Sequence, residues 1–217
     1  MSTTSNCAIA LAAITVSTSF ADVYTDGSFD QGPDNSNLDL TSVEVTNDES
    51  NVFFSVTTRD FADWTKYMVF VDSIDDAGAD GNNNGWVRNV EMGPAGIDYF
   101  MGAWVDGGGG TALYGWDGAW SDSSGGSVVN IDGAAKTVTM SISLATLGLE
   151  LGDSLRFEIG TTGGNEGDPA TDLMNGTSAS WGGVSSFGTL LEYTTVPAPG
   201  ALSLLVAAGL VARRRRA

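Results

Sequence analysis

Residues Thr137 to Leu144 read TVTMSISL, and Ser154 to Thr161 read SLRFEIGT. In the first stretch Val138, Met140, Ile142 and Leu144 recur at every second position, and in the second Leu155, Phe157 and Ile159 do the same. A period of two puts each apolar set on one face of a pleated strand. Working outward, similar short runs predict strands over 38–46, 52–58, 67–72, 86–92, 98–105, 127–131, 137–143, 154–161 and 188–194. Gly, Asn and Asp punctuate them, and the Gly-rich segments 106–110 and 163–168 lack the GK[ST] ending of a phosphate loop, so they are read as turns. Between the two ends of the chain no stretch of ten or more residues has a helical period. This pattern predicts an all-β fold, an antiparallel, jelly-roll-like β-sandwich over residues 22–196.

The chain has 217 residues and a formal net charge of −18. About 175 residues are enough for one domain that buries close to 70% of its unfolded surface. All 27 acids lie between Asp22 and Glu192, against five cations in the same span, Arg59, Lys66, Arg88, Lys136 and Arg156, which leaves it at −22. Such a surface repels phosphate backbones and anionic lipid, so nucleic acid is not an expected partner, whereas metal cations and neutral ligands are admitted. Histidine is absent and Cys7 is the one cysteine. A Ser-His-Asp triad, a His-ligated zinc and a His-ligated haem are therefore excluded, and a catalytic thiol is not expected.

The ends read as addresses. Cys7 to Phe20 is mostly apolar, and Ser19-Phe20-Ala21 has small side chains where a signal peptidase reads, so residues 1–21 are expected to form a signal helix cleaved after Ala21. At the other end, Gly200 to Ala212 carries no charge and Arg213, Arg214, Arg215 and Arg216 follow. As a helix that run is roughly 20 Å long against about 30 Å of hydrocarbon, a short transmembrane segment, and positive charge is retained on the cytoplasmic side. The order Pro197-Ala198-Pro199, apolar helix, arginine cluster over 197–217 resembles the PEP-CTERM sorting signal of bacteria that export exopolysaccharide, with Ala198 in place of the glutamate. The resemblance implies an exosortase as processing partner, transient contact with the inner membrane through 200–212, and a destination outside the cytoplasmic membrane, secreted or on the cell surface.

Inside those addresses, Asp26-Gly27-Ser28-Phe29-Asp30, Asn51-Val52-Phe53-Phe54, Val69-Phe70-Val71-Asp72, Gly96-Ile97-Asp98-Tyr99, Leu113 to Gly118 with Trp120, Val138 to Gly148, and Asp168 to Asp172 occur in that order. Together they resemble the family-nine carbohydrate-binding modules and their DOMON-like relatives. That resemblance implies a β-sandwich that binds sugar, or haem in some DOMON branches. Without histidine the usual Met and His haem ligation cannot be assembled, and sugar is the expectation.

Six tryptophans suit it, because an indole face packs on the C–H face of a pyranose while acids and amides bind its hydroxyls. Trp64, Trp86, Trp104 and Trp181 are the candidate sugar-binding residues, while Trp116 and Trp120 are read as structural packing. Asp80-Gly81-Asn82-Asn83-Asn84-Gly85 with Glu91 satisfies D-x-[DN]-x-[DN]-G-x₅-E, the calcium-loop pattern. Extended, the chain from Asn84 would carry Glu91 roughly 23 Å away. Either the segment curls, or an upstream acid, Asp75 or Asp76, completes a site on Asp80, Asn82 and Asn84. The expected function is non-catalytic binding of exopolysaccharide, with calcium as a stabilising ion. The alternatives are a structural acidic surface or matrix protein without a small ligand and, less favoured, a glycoside hydrolase built on two carboxylates.

Overall fold

The computed structural model describes residues 21–27, 31, 33–74 and 78–197. The expected signal helix, the sorting tail beyond Pro197, and Asp75 and Asp76 lie outside the described residues. Fourteen strands and one helix form: β1 (Asp22–Thr25), β2 (Leu40–Asn47), β3 (Asn51–Thr58), β4 (Lys66–Asp72), β5 (Val90–Glu91), β6 (Tyr99–Trp104), β7 (Gly110–Trp116), β8 (Trp120–Asp122), β9 (Ser127–Asp132), β10 (Thr137–Ser143), α1 (Leu144–Leu147), β11 (Ser154–Thr162), β12 (Asp172–Leu173), β13 (Ser185–Ser186) and β14 (Leu191–Thr194). No helix among the described residues is long and apolar enough to cross a membrane.

Two antiparallel sheets face each other. The first runs β1-β2-β3-β10-β9; the second runs β12-β11-β4-β6-β7-β8, with β14 also paired to β11. Alternation in β3 and β10 turns Val52, Phe54, Val56, Val138, Met140 and Ile142 inward. They meet Val69, Val71, Met101, Leu155, Phe157 and Ile159 from the second sheet in one buried core. Burying each large aliphatic or aromatic side chain contributes about 1.5–3 kcal/mol, so these rows supply the main driving force.

β4 is buried on both faces, which explains its unbroken apolar run. Its Met68 and Phe70 turn away from the core and join Phe100, Val90, Met92, Ile97, Ala170 and Leu173 in a second cluster beneath the long loops 78–98 and 163–190. Those loops carry the candidate site.

The structure corrects several expectations. Only Val90 and Glu91 of the expected strand 86–92 are strand, paired in parallel with β13. The Asn84 side chain bends the segment: its Oδ1 accepts from the N–H of Arg88 (2.9 Å) and its Nδ2 donates to the Arg88 carbonyl (2.8 Å). The segment read as a turn at 106–110 is a turn only to Gly109, and Gly110 opens β7. Leu144 is buried as its alternation requires, but it begins α1, because Ser143 Oγ caps that helix by accepting from the N–H of Thr146 (3.1 Å).

Both described chain ends leave from one end of the sandwich. Asp22 pairs with Val45, and Asn47, two residues on, bonds the backbone of Val196. Tyr24 closes β1 onto the second sheet: its hydroxyl donates to the Glu192 carbonyl and its ring meets Phe157 edge-on at 5.3 Å. Burial, with Asp22 and Glu192 nearby, pushes its phenol up to about 12.

Candidate functional site: a tryptophan surface on the loop end

Four strands of the second sheet end in one row, where Thr162 pairs with Lys66, Lys66 with Trp104, and Trp104 with Gly110. This is the end opposite the chain exit, since β11 starts at Ser154, beside Thr194, and finishes at Thr162. The nine residues of this strand, eight steps of about 3.3 Å, separate the two ends by about 26 Å.

Just past that row Trp64 and Trp181 come together, their rings 6.4 Å apart and tilted by 47°. Trp64 is 41% exposed and Trp181 45%, among the most exposed large apolar residues described. Local bonds hold both. The Trp64 loop is pinned where Asn37 Nδ2 donates to Thr65 Oγ1 (2.6 Å) and the N–H of Thr65 donates to the Ala62 carbonyl (3.2 Å). Trp181 lies against Gly163, where an added Cβ would sit 2.9 Å from Trp181 Cζ3 and 2.5 Å from Asp168 Oδ2. Only a glycine lets the indole and the carboxylate approach this closely.

Trp86 and Trp104 form a second pair, 6.4 Å apart and tilted by 37°. They are half-buried and fill glycine gaps in the sheet: a Cβ on Gly102 would lie 2.0 Å from Trp86 Cζ2, and one on Gly110 would lie 2.3 Å from Trp104 Cζ2. Trp116 and Trp120 pack edge to face at 5.3 Å against the second cluster, and Trp120 Nε1 donates to the Asn83 carbonyl (2.8 Å). The four candidate indoles therefore divide into an exposed pair and a packed pair at the same end of the sheet.

Three loops are laced together around them. The N–H of Gly167 donates to the Val87 carbonyl (3.2 Å), the N–H of Asn89 to the Asp168 carbonyl (3.1 Å), and Asn89 Nδ2 to the Gly183 carbonyl (2.5 Å). Val87, 62% exposed, has φ of +55°, a left-handed conformation that a β-branched residue adopts only under strain. Beside it Arg88 is 6% exposed, and its Cζ stands 5.3 Å from the centre of the Trp86 ring. Burial lowers the pKa of this guanidinium, while the charges of Asp168 and Glu166 act in the opposite direction. Sequence reasoning did not single out Arg88, whose only signal was its rarity as a cation in an acidic chain.

In the expected calcium loop the chain curls. The N–H of Met92 donates to the Gly81 carbonyl (2.9 Å), and Glu91 Oε1 comes within 3.8 Å of the position of a Cβ on Gly81. Glu91 therefore returns to Gly81 instead of pointing away. The amide oxygens are committed to the backbone, Asn82 Oδ1 accepting from the N–H of Val90 (3.2 Å) and Asn84 Oδ1 from that of Arg88. Asp80 Oδ1 accepts from Gly96 (3.0 Å) and Glu91 Oε1 from Gly93 (3.1 Å), but both side chains are exposed. Among the described residues no three His, Cys, Asp or Glu side chains are grouped to hold a metal.

No protein-family model matches the chain, and no curated protein is significantly similar to it. Among solved structures it is similar to one described as "pH-induced modulation of Streptococcus parasanguinis adhesion by Fap1 fimbriae", at 10% identity over 85% of this chain and 98% of that one, with a TM-score of 0.29. A likeness at that TM-score fixes neither fold nor function.

Proposed function

We propose that this chain is an exported, non-catalytic carbohydrate-binding protein of the cell surface or extracellular matrix, a jelly-roll-like module that takes polysaccharide on Trp64 and Trp181. The observation that carries the reading is this exposed indole pair. Two large apolar faces left in water forgo burial worth about 25 cal/mol per Å², and a pyranose face would recover part of it. Asp63, Asn165, Glu166 and Asp168 border the indoles in sequence or space and supply acceptors for hydroxyl groups. In the same reading, signal peptidase and an exosortase process the two ends during export, with the inner membrane crossed transiently by 200–212. The first and last described segments of the domain, at Asp22 and Val196, lie at the end of the sandwich opposite the indoles.

Calcium belongs to this reading as a stabilising ion held by the exposed carboxylates of Asp80 and Glu91, with water completing the sphere. The central test is calorimetry of the full-length protein against matrix and cell-wall glycans, with acrylamide quenching of indole fluorescence. Binding heat together with protection of the indoles supports the reading. No heat from any glycan and no change in quenching would replace it with a structural role.

A further inference from the structure

Trp64 and Trp181 form a bent surface, not a flat one and not a clamp. Their ring centres are 6.4 Å apart and their planes are inclined by 47°. A pyranose held between two facing indoles needs a separation of roughly 7–8 Å, twice the van der Waals contact distance of about 3.5–4.0 Å. The space between the two ring centres is therefore too small for a sugar, and a ligand must lie across the pair. Both rings are open to it, Trp64 being 41% exposed and Trp181 45%.

The inclination is built into the loops. Trp181 sits at the corner of a turn closed by the N–H of Gly183 on the Ser180 carbonyl (2.9 Å), with Gly182 at a φ of +80°, as a type II turn requires at its third residue. The edge of its indole abuts Gly163, where a Cβ would lie 2.9 Å from Cζ3 and 3.0 Å from Cη2. Trp64 is fixed in turn through its neighbour Thr65, which is bonded to Asn37 and Ala62. The angle is thus set before a ligand arrives, and little ordering has to accompany binding.

Resting on the carbohydrate reading, we infer that the ligand is a neutral, winding glucan, a chain whose successive rings are inclined to one another, and that flat chains are discriminated against. Two sugar rings seated on planes inclined by 47° must be inclined by about that angle themselves, and at this separation they are neighbours in the chain. A ribbon of coplanar rings, as in cellulose, can lie on one indole and then lifts away from the other. Glucose suits the contact because its equatorial hydroxyls leave the C–H faces clear, whereas an axial hydroxyl stands a ring off the indole. Neutrality follows from charge: Asp63 precedes Trp64, and Asp168 Oδ2 comes to the same Gly163 that Trp181 abuts. These carboxylates repel a polyuronate but accept hydrogen bonds from the hydroxyls of an uncharged chain.

The test is calorimetry of the full-length protein with maltohexaose and laminarihexaose, whose rings wind, beside cellohexaose, which carries the same glucose units in a flat ribbon. Wild type should bind at least one winding oligomer about tenfold or more tightly than cellohexaose, because the flat chain keeps only one of two stacked rings. Trp64→Ala and Trp181→Ala each leave a single plane and should bind the three oligomers alike. Both side chains are exposed, so the melting temperatures should stay near that of wild type, and a fold defect would be visible there. Cellohexaose bound by wild type as tightly as both winding oligomers, or a preference that survives in either variant, overturns the winding glucan alone. So does binding of none of the three by a protein that takes another matrix or cell-wall glycan. Heat from no glycan at all overturns it together with the carbohydrate reading.

Discussion

Asn47 holds Val196 from both sides: its Nδ2 donates to the Val196 carbonyl at 3.0 Å, and its Oδ1 accepts from the Val196 N–H at 2.8 Å. The same Oδ1 accepts from the Tyr193 hydroxyl at 2.8 Å. One amide thus substitutes for a strand partner at the point where the folded domain gives way to the expected sorting tail. Asn47→Ala should cost about 1–2 kcal/mol, since each net hydrogen bond is worth about 1 kcal/mol. It should also speed limited proteolysis between Thr194 and Pro197, read by mass spectrometry. An unchanged cleavage rate would show that the clamp is not what protects this segment.

The two indole pairs should respond differently to truncation. Trp64→Ala and Trp181→Ala remove exposed side chains and should change stability by no more than about 0.5 kcal/mol, while reducing glycan affinity by about tenfold or more. Trp86→Ala and Trp104→Ala would leave the Gly102 and Gly110 gaps unfilled and should cost about 2–3 kcal/mol in urea denaturation. Large destabilisation by the first pair would assign it to packing.

Glu158 gives a pH signature. It is fully enclosed on the outer face of β11, and burial pushes its carboxyl up to about 7 from 4.5, against the opposing bonds from the N–H groups of Ile159 and Asn175. A raised folded pKa means that its contribution is fully present below about pH 4.5 and is lost as pH rises through 7. That loss is about 3 kcal/mol by linkage. Unfolding free energy should therefore fall between pH 5 and 8 in wild type, as far as this group is concerned, and the slope should flatten in Glu158→Gln. An identical slope in the variant would mean that the carboxyl is already ionised across the range.

If Asp80 and Glu91 hold calcium, millimolar Ca²⁺ should raise the melting temperature more than equal Mg²⁺, because the smaller ion tolerates irregular geometry less well. Asp80→Ala and Glu91→Ala should each abolish the difference. Equal effects of the two ions on wild type would leave the loop as a turn closed by its own amides.

Val87 is a site for gain. Asparagine tolerates the left-handed region better than a β-branched residue, so Val87→Asn should stabilise the protein by about 1 kcal/mol in equilibrium unfolding. A loss would mean that the exposed valine side chain makes contacts worth more than the strain.

The alternation at Val138, Met140 and Ile142 and at Leu155, Phe157 and Ile159 was legible because a strand facing a core needs only a period of two, which is a local property of the chain. The same rule failed at Trp86 to Met92. There the apparent alternation came from a loop whose course is set by one side chain, Asn84, closing on Arg88. It failed again at Gly110, where composition suggested a turn but Trp104, across the pair, fills the space that a side chain would occupy. Of the two courses open to Glu91 the segment takes the curled one, because backbone bonds between Gly81 and Met92 fold it back, a closure that no local pattern announces.

By itself the sequence determined an all-β, strongly acidic chain without histidine chemistry and with six indoles available for packing or binding, because period, charge and composition are carried by each segment alone. Only the tertiary structure decided which indoles are packed and which are exposed. Trp64 and Trp181 meet because β4 and β11 pair in a register that brings Trp64, two residues before Lys66, near Gly163, just after Thr162. Arg88 packs on Trp86 while Asp168 in the facing loop turns Oδ2 to the N–H of Asn165. Pairing between distant segments depends on register and loop closure, which are properties of the whole chain and not of any stretch of it.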